Sequence, residues 1–283
     1  MLTAAGRSDE ACASAQSAVA LEPQQWSHHF RLGHAAWGAK RLGSMRECLQ
    51  LYPTFPFAHF QMAMVFVARR DLDTATRVLE EGIAVLDVTG ATRSRFPASG
   101  LHWLIGSIRL VRDDVDGALS DFDRELNQER HPEGRALYTA EFASAALNSR
   151  GFALLRAGQT EEAKAAFQQA LSINPEQARA FLGLASLGNG RRPGGPASDL
   201  DQAGDAVTQL QRGGRTIEAQ LMAAGMCAVE TKPADAISTL ERMLRGLPLG
   251  PAGWSIPIDP LLASLKTVPS FDVVLDLLAG RAE

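Results

Sequence analysis

The stretch that decides the fold is Leu147–Pro175, which reads LNSRGFALLRAGQTEEAKAAFQQALSINP. Its small and large residues recur at helical intervals, and Gly151 and Ala163 fall where two antiparallel helices approach each other. Phe167 is one of the large residues that face back onto the first helix. Pro175 ends the second helix, because proline cannot continue the helical hydrogen-bond pattern. The stretch therefore predicts two antiparallel helices joined by a short turn.

The same pattern recurs along the chain. An alanine or another apolar residue marks the early part of each second helix, and an apolar residue follows four positions later on the same face. The markers are Ala11, Met45, Ala75, Ala118, Ala163, Ala203 and Ala236. The unit resembles the tetratricopeptide repeat of about 34 residues, which cannot bury its apolar face alone. The resemblance implies an all-α fold, a right-handed solenoid of roughly six to seven stacked repeats, some of them degenerate.

The repeat frame divides the chain into a helical array over 1–248 and a C-terminal helical cap over 249–283. The array begins inside a repeat, so we expect either a C-terminal piece of a longer protein or a misplaced start; an array that begins with a lone capping helix is the alternative. The tail resembles those that close such repeat regions in bacterial signalling proteins. Its apolar residues are expected to fold over the last repeat: Trp254, Ile256, Leu261, Leu262, Phe271, Val274 and Leu278.

Three segments depart from the regular period. Residues 133–157 contain no proline and keep helical periodicity, which predicts added helix. Residues 87–100 are turn-rich and predict an extended connection. Residues 188–198, rich in glycine and proline, predict a flexible link within a degraded repeat.

Composition and charge narrow the function classes. The chain has a net charge of −4 with dispersed basic residues, so we expect neither nucleic acid nor a membrane as a partner. The three cysteines, Cys12, Cys48 and Cys227, lie far apart and fit buried thiols in a reducing cytosol. No apolar run reaches the roughly 18 residues of a spanning helix, and no signal peptide is apparent. These features favour a cytoplasmic protein.

Motifs for chemistry are missing from the sequence. The histidines do not stand in an H-E-x-x-H arrangement, and no phosphate-binding loop or G-x-S-x-G elbow is present. His59 and His102 share one repeat position, where a half-buried structural imidazole is predicted. We therefore expect no enzyme activity, no cofactor and no metal.

The resemblance also predicts a binding surface, since the first helices of such repeats line a concave face. Lysine, asparagine and arginine do not stand in the pattern that captures a peptide carboxylate. The groove either binds an amphipathic helix or apolar peptide, with aromatic anchors, or is packed away within a tightly wound superhelix. The predicted groove consists of Phe30, Arg31, His34, Trp37, Phe57, Phe60, Gln61, Met64, Trp103, Ser107, Asn148, Phe152 and Arg156.

Two functions fit this sequence. The first is a non-enzymatic scaffold that presents the groove to a protein or peptide partner, or to another domain of its own parent chain. The alternative is an appended regulatory region of a longer signalling enzyme, a nucleotide cyclase or a protein kinase, whose catalytic domain lies upstream of Met1.

Overall fold

The computed structural model describes residues 8–89, 99–128, 136–175, 178–187 and 198–283, and every regular element in these ranges is helical. Short 3-10 helices cover Ile256–Ile258 and Pro260–Thr267. The α-helices are α1 (Ser8–Leu21), α2 (Trp26–Ala35), α3 (Gly38–Leu51), α4 (Pro56–Ala68), α5 (Leu72–Thr89), α6 (Leu101–Val111), α7 (Val115–Gln128), α8 (Ala136–Arg156), α9 (Thr160–Ile173), α10 (Ala178–Ser186), α11 (Asp199–Arg212), α12 (Thr216–Val229), α13 (Pro233–Gly246) and α14 (Phe271–Arg281).

Consecutive helices pair as hairpins, as the repeat frame predicts. The pairs are α2 with α3, α4 with α5, α8 with α9, α10 with α11 and α12 with α13, while α1 packs against α2. Helices α6 and α7 meet where Gly106 faces the ring of Phe122. The prediction of an all-α array of helical hairpins is confirmed.

The marker residues explain why the hairpins close. All but Ala11, which lies on α1, belong to the second helix of a hairpin. Ala11 on α1 is half-buried. The others have 0% exposure: Met45, Ala75, Ala118, Ala163, Ala203 and Ala236. The repeat register predicted from the sequence is therefore the register of the core.

At the crossing of α8 and α9, Phe167 faces the first helix, as predicted. A Cβ atom built on Gly151 would lie 2.5 Å from Cε1 of Phe167. The contact of Gly151 with Ala163 stays a prediction. A Cβ atom on Gly183 of α10 would lie 2.3 Å from the same Phe167 atom. The phenyl ring thus fills the space that two glycines leave open, and a helix on either side approaches it closely.

The structure describes the three segments that depart from the regular period to different extents. Helix α8 extends over Ala136–Arg156, so the added length before α9 is helix, as predicted. Of the predicted connection at 87–100, residues 90–98 lie outside the described residues, and so do residues 188–197 of the predicted flexible link. Helix α11 begins with a capping box, in which the Ser198 hydroxyl accepts the Asp201 amide proton.

The chain forms two compact units, and the tail contributes to both. The first unit comprises Met1–Leu101, Leu247–Pro257 and Leu278–Glu283. The second comprises His102–Gly246 and Ile258–Leu277.

The tail does not simply close the last repeat. The Trp254 ring lies 6.2 Å from the ring of Phe60 on α4, a contact that the sequence did not predict. Leu261 does pack near α12, where it faces Gly225. As predicted, a short helix starts with Pro260, and the Asp259 side chain caps it by accepting the Leu261 amide proton. The division of the chain at residue 248 stays a prediction.

Candidate partner-binding surface

The residues of the predicted groove differ in exposure. Those from Phe30 to Met64 belong to the first unit, and those from Trp103 to Arg156 belong to the second. Exposed or half-buried are Phe30, Arg31, His34, Trp37, Phe57, Met64, Trp103 and Arg156. Buried are Phe60, Gln61, Ser107, Asn148 and Phe152.

Aromatic rings connect α2 and α4 in the first unit. The Phe30 and Phe57 rings lie 5.9 Å apart with an edge-on geometry. The Phe57 and Phe60 rings stack at 5.6 Å with planes inclined by 12°. Phe30 also meets Phe55 edge-on at 5.0 Å. Because such pairs restrain each other's orientation, the half-buried Phe30 and Phe57 form a rigid apolar surface.

Two further aromatic residues extend this cluster beyond the predicted groove. The Trp26 ring stacks on Tyr52 at 4.9 Å and lies 4.8 Å from Phe55. Tyr52 is 38% exposed. Trp26 begins α2 and Tyr52 follows α3, so both lie at helix ends, which the repeat frame does not mark as groove positions.

Arg41 on α3 makes the polar contacts at the carboxyl end of α2. The sequence did not single out this residue. Its side chain is buried, and Nε donates to the carbonyl oxygens of Gly33 and Ala36 at 3.0 Å each. Nη2 donates to the His34 carbonyl at 3.1 Å. Burial lowers the pKa of the Arg41 guanidinium to about 10, so it stays charged at neutral pH. A cation at the carboxyl end of α2 is favoured by the helix dipole.

Arg41 also connects two residues of the predicted groove. Its guanidinium carbon lies 4.7 Å from the centre of the Trp37 ring, and Nη1 lies 3.7 Å from Sδ of Met64. We placed Trp37 on a first helix; it instead follows the end of α2 and directly precedes α3. A sequence signal for Arg41 did exist: it stands four residues before the buried Met45, on the same face of α3.

In the second unit, Trp103 on α6 is fixed by polar contacts. Its indole Nε1–H donates to Oγ of Ser149 on α8 at 3.0 Å. Its backbone amide donates to the buried carboxylate of Glu125 on α7 at 3.1 Å. The Phe142 ring lies 6.0 Å from the Trp103 ring. Trp103 therefore ties three helices together while remaining half-buried.

Arg156 and Asn148 differ in the hydrogen bonds that their side chains make. Arg156 Nη1 donates to the Leu110 carbonyl at 2.6 Å, and Nη2 pairs with the carboxylate of Asp113. Oδ1 of the buried Asn148 has no hydrogen-bond partner among the described residues, and the same is true of Oε1 of Gln61 on α4. The two amides thus keep free acceptors on first helices.

The two histidines at the shared repeat position lie inside their hairpins. Nδ1 of His59 is 4.0 Å from Oε2 of Glu81 on α5, and Nδ1 of His102 is 4.0 Å from Oδ1 of Asp121 on α7. Burial lowers the pKa of His59, while Glu81 opposes this shift. Both imidazoles are buried, more deeply than the predicted half-buried position, and their structural role stays a prediction.

The α8–α9 hairpin matches a known repeat family. A model of the tetratricopeptide repeat family matches residues 144–177, the same hairpin that holds Gly151 and Phe167. The match covers a single hairpin of the chain, which is similar to one repeat of that family. The surrounding hairpins are helical repeats of the same kind, a scaffold type that is typical of protein–protein interaction.

Solved structures of tetratricopeptide repeat proteins are similar to this one. PilF of Pseudomonas aeruginosa is 18% identical, with a TM-score of 0.44, and the match covers 86% of this chain and 95% of that chain. PilW, described as a type IV pilus biogenesis factor, is 14% identical, with a TM-score of 0.43 over 95% and 98%. YrrB, described as having an unusual peptide-binding site, is 14% identical, with a TM-score of 0.38 over 71% and 91%. No curated protein sequence matches this chain.

Within the described ranges, no helix combines the length and apolar character needed to cross a bilayer. Across the same ranges, histidine, cysteine, aspartate and glutamate side chains form no group of three that is placed to hold a metal ion.

Proposed function

We propose that this protein is a non-enzymatic scaffold that binds an apolar peptide or amphipathic helix of a partner protein. The binding residues are those of the predicted groove that lie accessible on α2 and α4, and we term them the first-helix surface. It consists of Phe30, Arg31, His34, Phe57 and Met64.

One observation carries this proposal: the half-buried rings of Phe30 and Phe57 touch across two neighbouring first helices. A partner that lies across α2 and α4 therefore meets a continuous aromatic strip. Large rigid aromatic side chains supply most of the binding free energy at such interfaces. The strip needs little ordering on binding, because Phe55 and Phe60 already hold the two rings from behind.

The rim of the surface indicates the polar part of the partner. Arg31 and His34 are exposed on α2 beside Phe30. His34 reaches solvent, but partial desolvation by the surrounding chain lowers its pKa, and the Arg41 charge adds to this shift, so the imidazole is mostly neutral at pH 7. Arg31 then supplies the charge of the rim, and we propose a partner segment with aliphatic or aromatic anchors and a flanking acidic residue.

The remaining groove residues have a supporting role in this proposal. Trp37 and Arg41 fix the end of α2, and the buried Phe60 and Gln61 form the base of the surface. In the second unit, we propose that the accessible Trp103 and Arg156 also take part in partner binding, on the first helices α6 and α8. Ser107, Asn148 and Phe152 of these helices are buried.

Peptide selection tests the proposal directly. A library of random peptides displayed on phage is selected on the full chain, and the affinity of a selected synthetic peptide is measured by calorimetry. We expect Phe30→Ala and Phe57→Ala each to weaken binding by about ten-fold or more, which corresponds to about 1.4 kcal/mol. Each variant should retain the helical circular dichroism of the parent.

Val273→Ala is the matched control. Val273 is a 48% exposed apolar residue on α14, outside the first-helix surface, and its loss should leave the affinity unchanged. Selected peptides that bind the Phe30 and Phe57 variants as tightly as the parent would show that the surface is misplaced.

A further inference from the structure

The last residues of the chain are bound by the first unit. Nε of Arg69, at the end of α4, donates to the Ala282 carbonyl at 2.9 Å, and Nη2 donates to the Glu283 carbonyl at 3.2 Å. The Ala39 amide, in the first turn of α3, donates to the same Glu283 carbonyl at 3.0 Å. Three donors from two helices thus converge on two consecutive backbone carbonyls.

Gly38 allows this close approach. It has a φ of 60°, in the left-handed region, and a Cβ atom there would lie 2.9 Å from the Ala282 carbonyl oxygen and 3.1 Å from the Glu283 carbonyl carbon. Glycine alone meets both demands without strain. Ala282 has 0% exposure, so the bound segment also needs a small residue at that position.

A second part of the tail is bound to the same unit. Trp254 contacts Phe60 of α4 edge-on at 6.2 Å. Arg281 connects the two parts, because Nη1 donates to the Leu247 carbonyl at 3.0 Å and Nη2 pairs with the Pro248 carbonyl. Residues 247–257 and 278–283 are therefore linked to each other as well as to α3 and α4; we term them together the cis tail.

The cis tail and the first-helix surface share the same support. The Phe60 ring stacks on Phe57 and also contacts Trp254. Gly38, which faces Ala282, directly follows Trp37, whose ring packs on Arg41. The Phe60 ring is buried while Trp254 contacts it, and Gly38 lies against Ala282, so both positions become accessible to a partner only when the cis tail leaves them.

We propose that the cis tail is an internal competitor of the partner, so that the first unit binds its partner at full strength only after residues 247–257 and 278–283 leave α3 and α4. This inference rests on the proposed function and adds its regulation. The contacts to Ala282 and Glu283 go to backbone atoms, so a competing peptide needs no particular side chain beyond one small residue at the Gly38 contact. A tethered segment has an effective concentration in the millimolar range, which keeps a free peptide out.

The test uses the full chain and a fluorescein-labelled peptide with the sequence of residues 271–283. Ala282→Gln places a large side chain in the tail at the Gly38 contact and leaves Gly38, Ala39 and Arg69 intact. We expect the amides of 278–283 and of Ala39 to exchange with deuterium about ten-fold faster or more in this variant than in the parent. We expect the peptide to bind the variant about ten-fold more tightly than the parent, in which the cis tail excludes it.

Val273→Gln is the matched control, since it introduces the same side chain at an exposed position of α14 and should change neither readout. Arg281→Ala is a second variant that should free the cis tail, because it removes the contacts to Leu247 and Pro248 without adding bulk. Its exchange and binding results test the proposal if Ala282→Gln lowers the helical content. The proposal is overturned if the amide hydrogens of 278–283 exchange at the parent rate in Arg281→Ala. It is also overturned if they exchange faster but the peptide binds no more tightly. Because the probe is the chain's own sequence, such a failure leaves the first-helix surface standing, and failure of the Phe30 and Phe57 variants leaves the cis contact standing.

Discussion

At the scale of single residues, Phe167 shows how a side chain sets the spacing of neighbouring hairpins. Its ring is fully buried, and the backbones of α8 and α10 approach it at Gly151 and Gly183. It also meets Phe152 edge-on at 5.0 Å. A methyl group at either glycine would overlap the ring, and the dense core leaves the ring little room to move.

We therefore expect Gly151→Ala to lower the free energy of unfolding by about 1–3 kcal/mol, the usual cost of overpacking a core. Urea unfolding followed by circular dichroism measures this change. The control is Gly43→Ala on α3, where the new methyl group would have no neighbour within 4 Å apart from the adjacent residues and the backbone of its own helix. That change should stabilise the chain by up to about 1 kcal/mol, because alanine favours a helix over glycine. Equal effects of the two substitutions would contradict the packing described for Phe167.

At the scale of elements, the α4–α5 hairpin encloses an ionisable side chain. Gly82 on α5 gives room to His59, because a Cβ atom there would lie 2.7 Å from the His59 Cβ. Glu81 is the nearest carboxylate, and its side chain is half exposed to solvent. Burial is the larger effect and lowers the His59 pKa below its ordinary value.

This shift predicts a dependence of stability on pH. The unfolded imidazole, with a pKa of about 6.5, binds a proton more readily than the folded one. The stability contributed by neutral His59 is therefore complete above about pH 6.5 and is lost as the pH falls from there through the lower folded pKa. We expect His59→Phe, which cannot be protonated, to lose less stability than the parent between about pH 7.5 and pH 5 in urea unfolding series. Parallel curves for the two proteins would show that His59 does not contribute to the acid sensitivity.

At the scale of the whole molecule, an ion pair between residues far apart in sequence joins part of the tail to a repeat. In the second unit, Arg179 Nη1 on α10 lies 2.6 Å from Oδ2 of Asp259, a residue 80 positions later. Asp259 is buried, and its other oxygen accepts the Leu261 amide proton at 3.1 Å. One carboxylate thus caps the 3-10 helix and joins it to the array.

We expect Arg179→Met to lower the free energy of unfolding by about 1.5–3 kcal/mol, the range for hydrogen bonds to charged groups, because it deprives a buried carboxylate of its cation. Faster hydrogen exchange of 260–267 should accompany the loss. The control is Arg245→Met, which removes an exposed i,i+4 pair with Glu241 and should change stability by less than about 0.5 kcal/mol. A loss no greater than that of the control would mean that the pair does not hold the tail.

The sequence by itself determined the helices, their pairing and the register of the core. The pattern that predicted them is local: small residues such as Gly151 and Ala163 recur with the markers at helical spacing. Helical periodicity is local because helix hydrogen bonds join residues four apart. Pro260 after Asp259 likewise predicted the start of a short helix, since capping depends on adjacent residues.

Only the tertiary structure decided where the tail lies and which groove residues are accessible. The contacts of Arg69 with Ala282 and of Arg179 with Asp259 join residues 213 and 80 positions apart, and no periodicity relates such pairs. Phe60 and Phe57 are both aromatic and occupy the same helix, yet one is buried against Trp254 and the other is half-buried. Burial depends on what the rest of the chain places against a residue, and that is fixed only when the chain has folded.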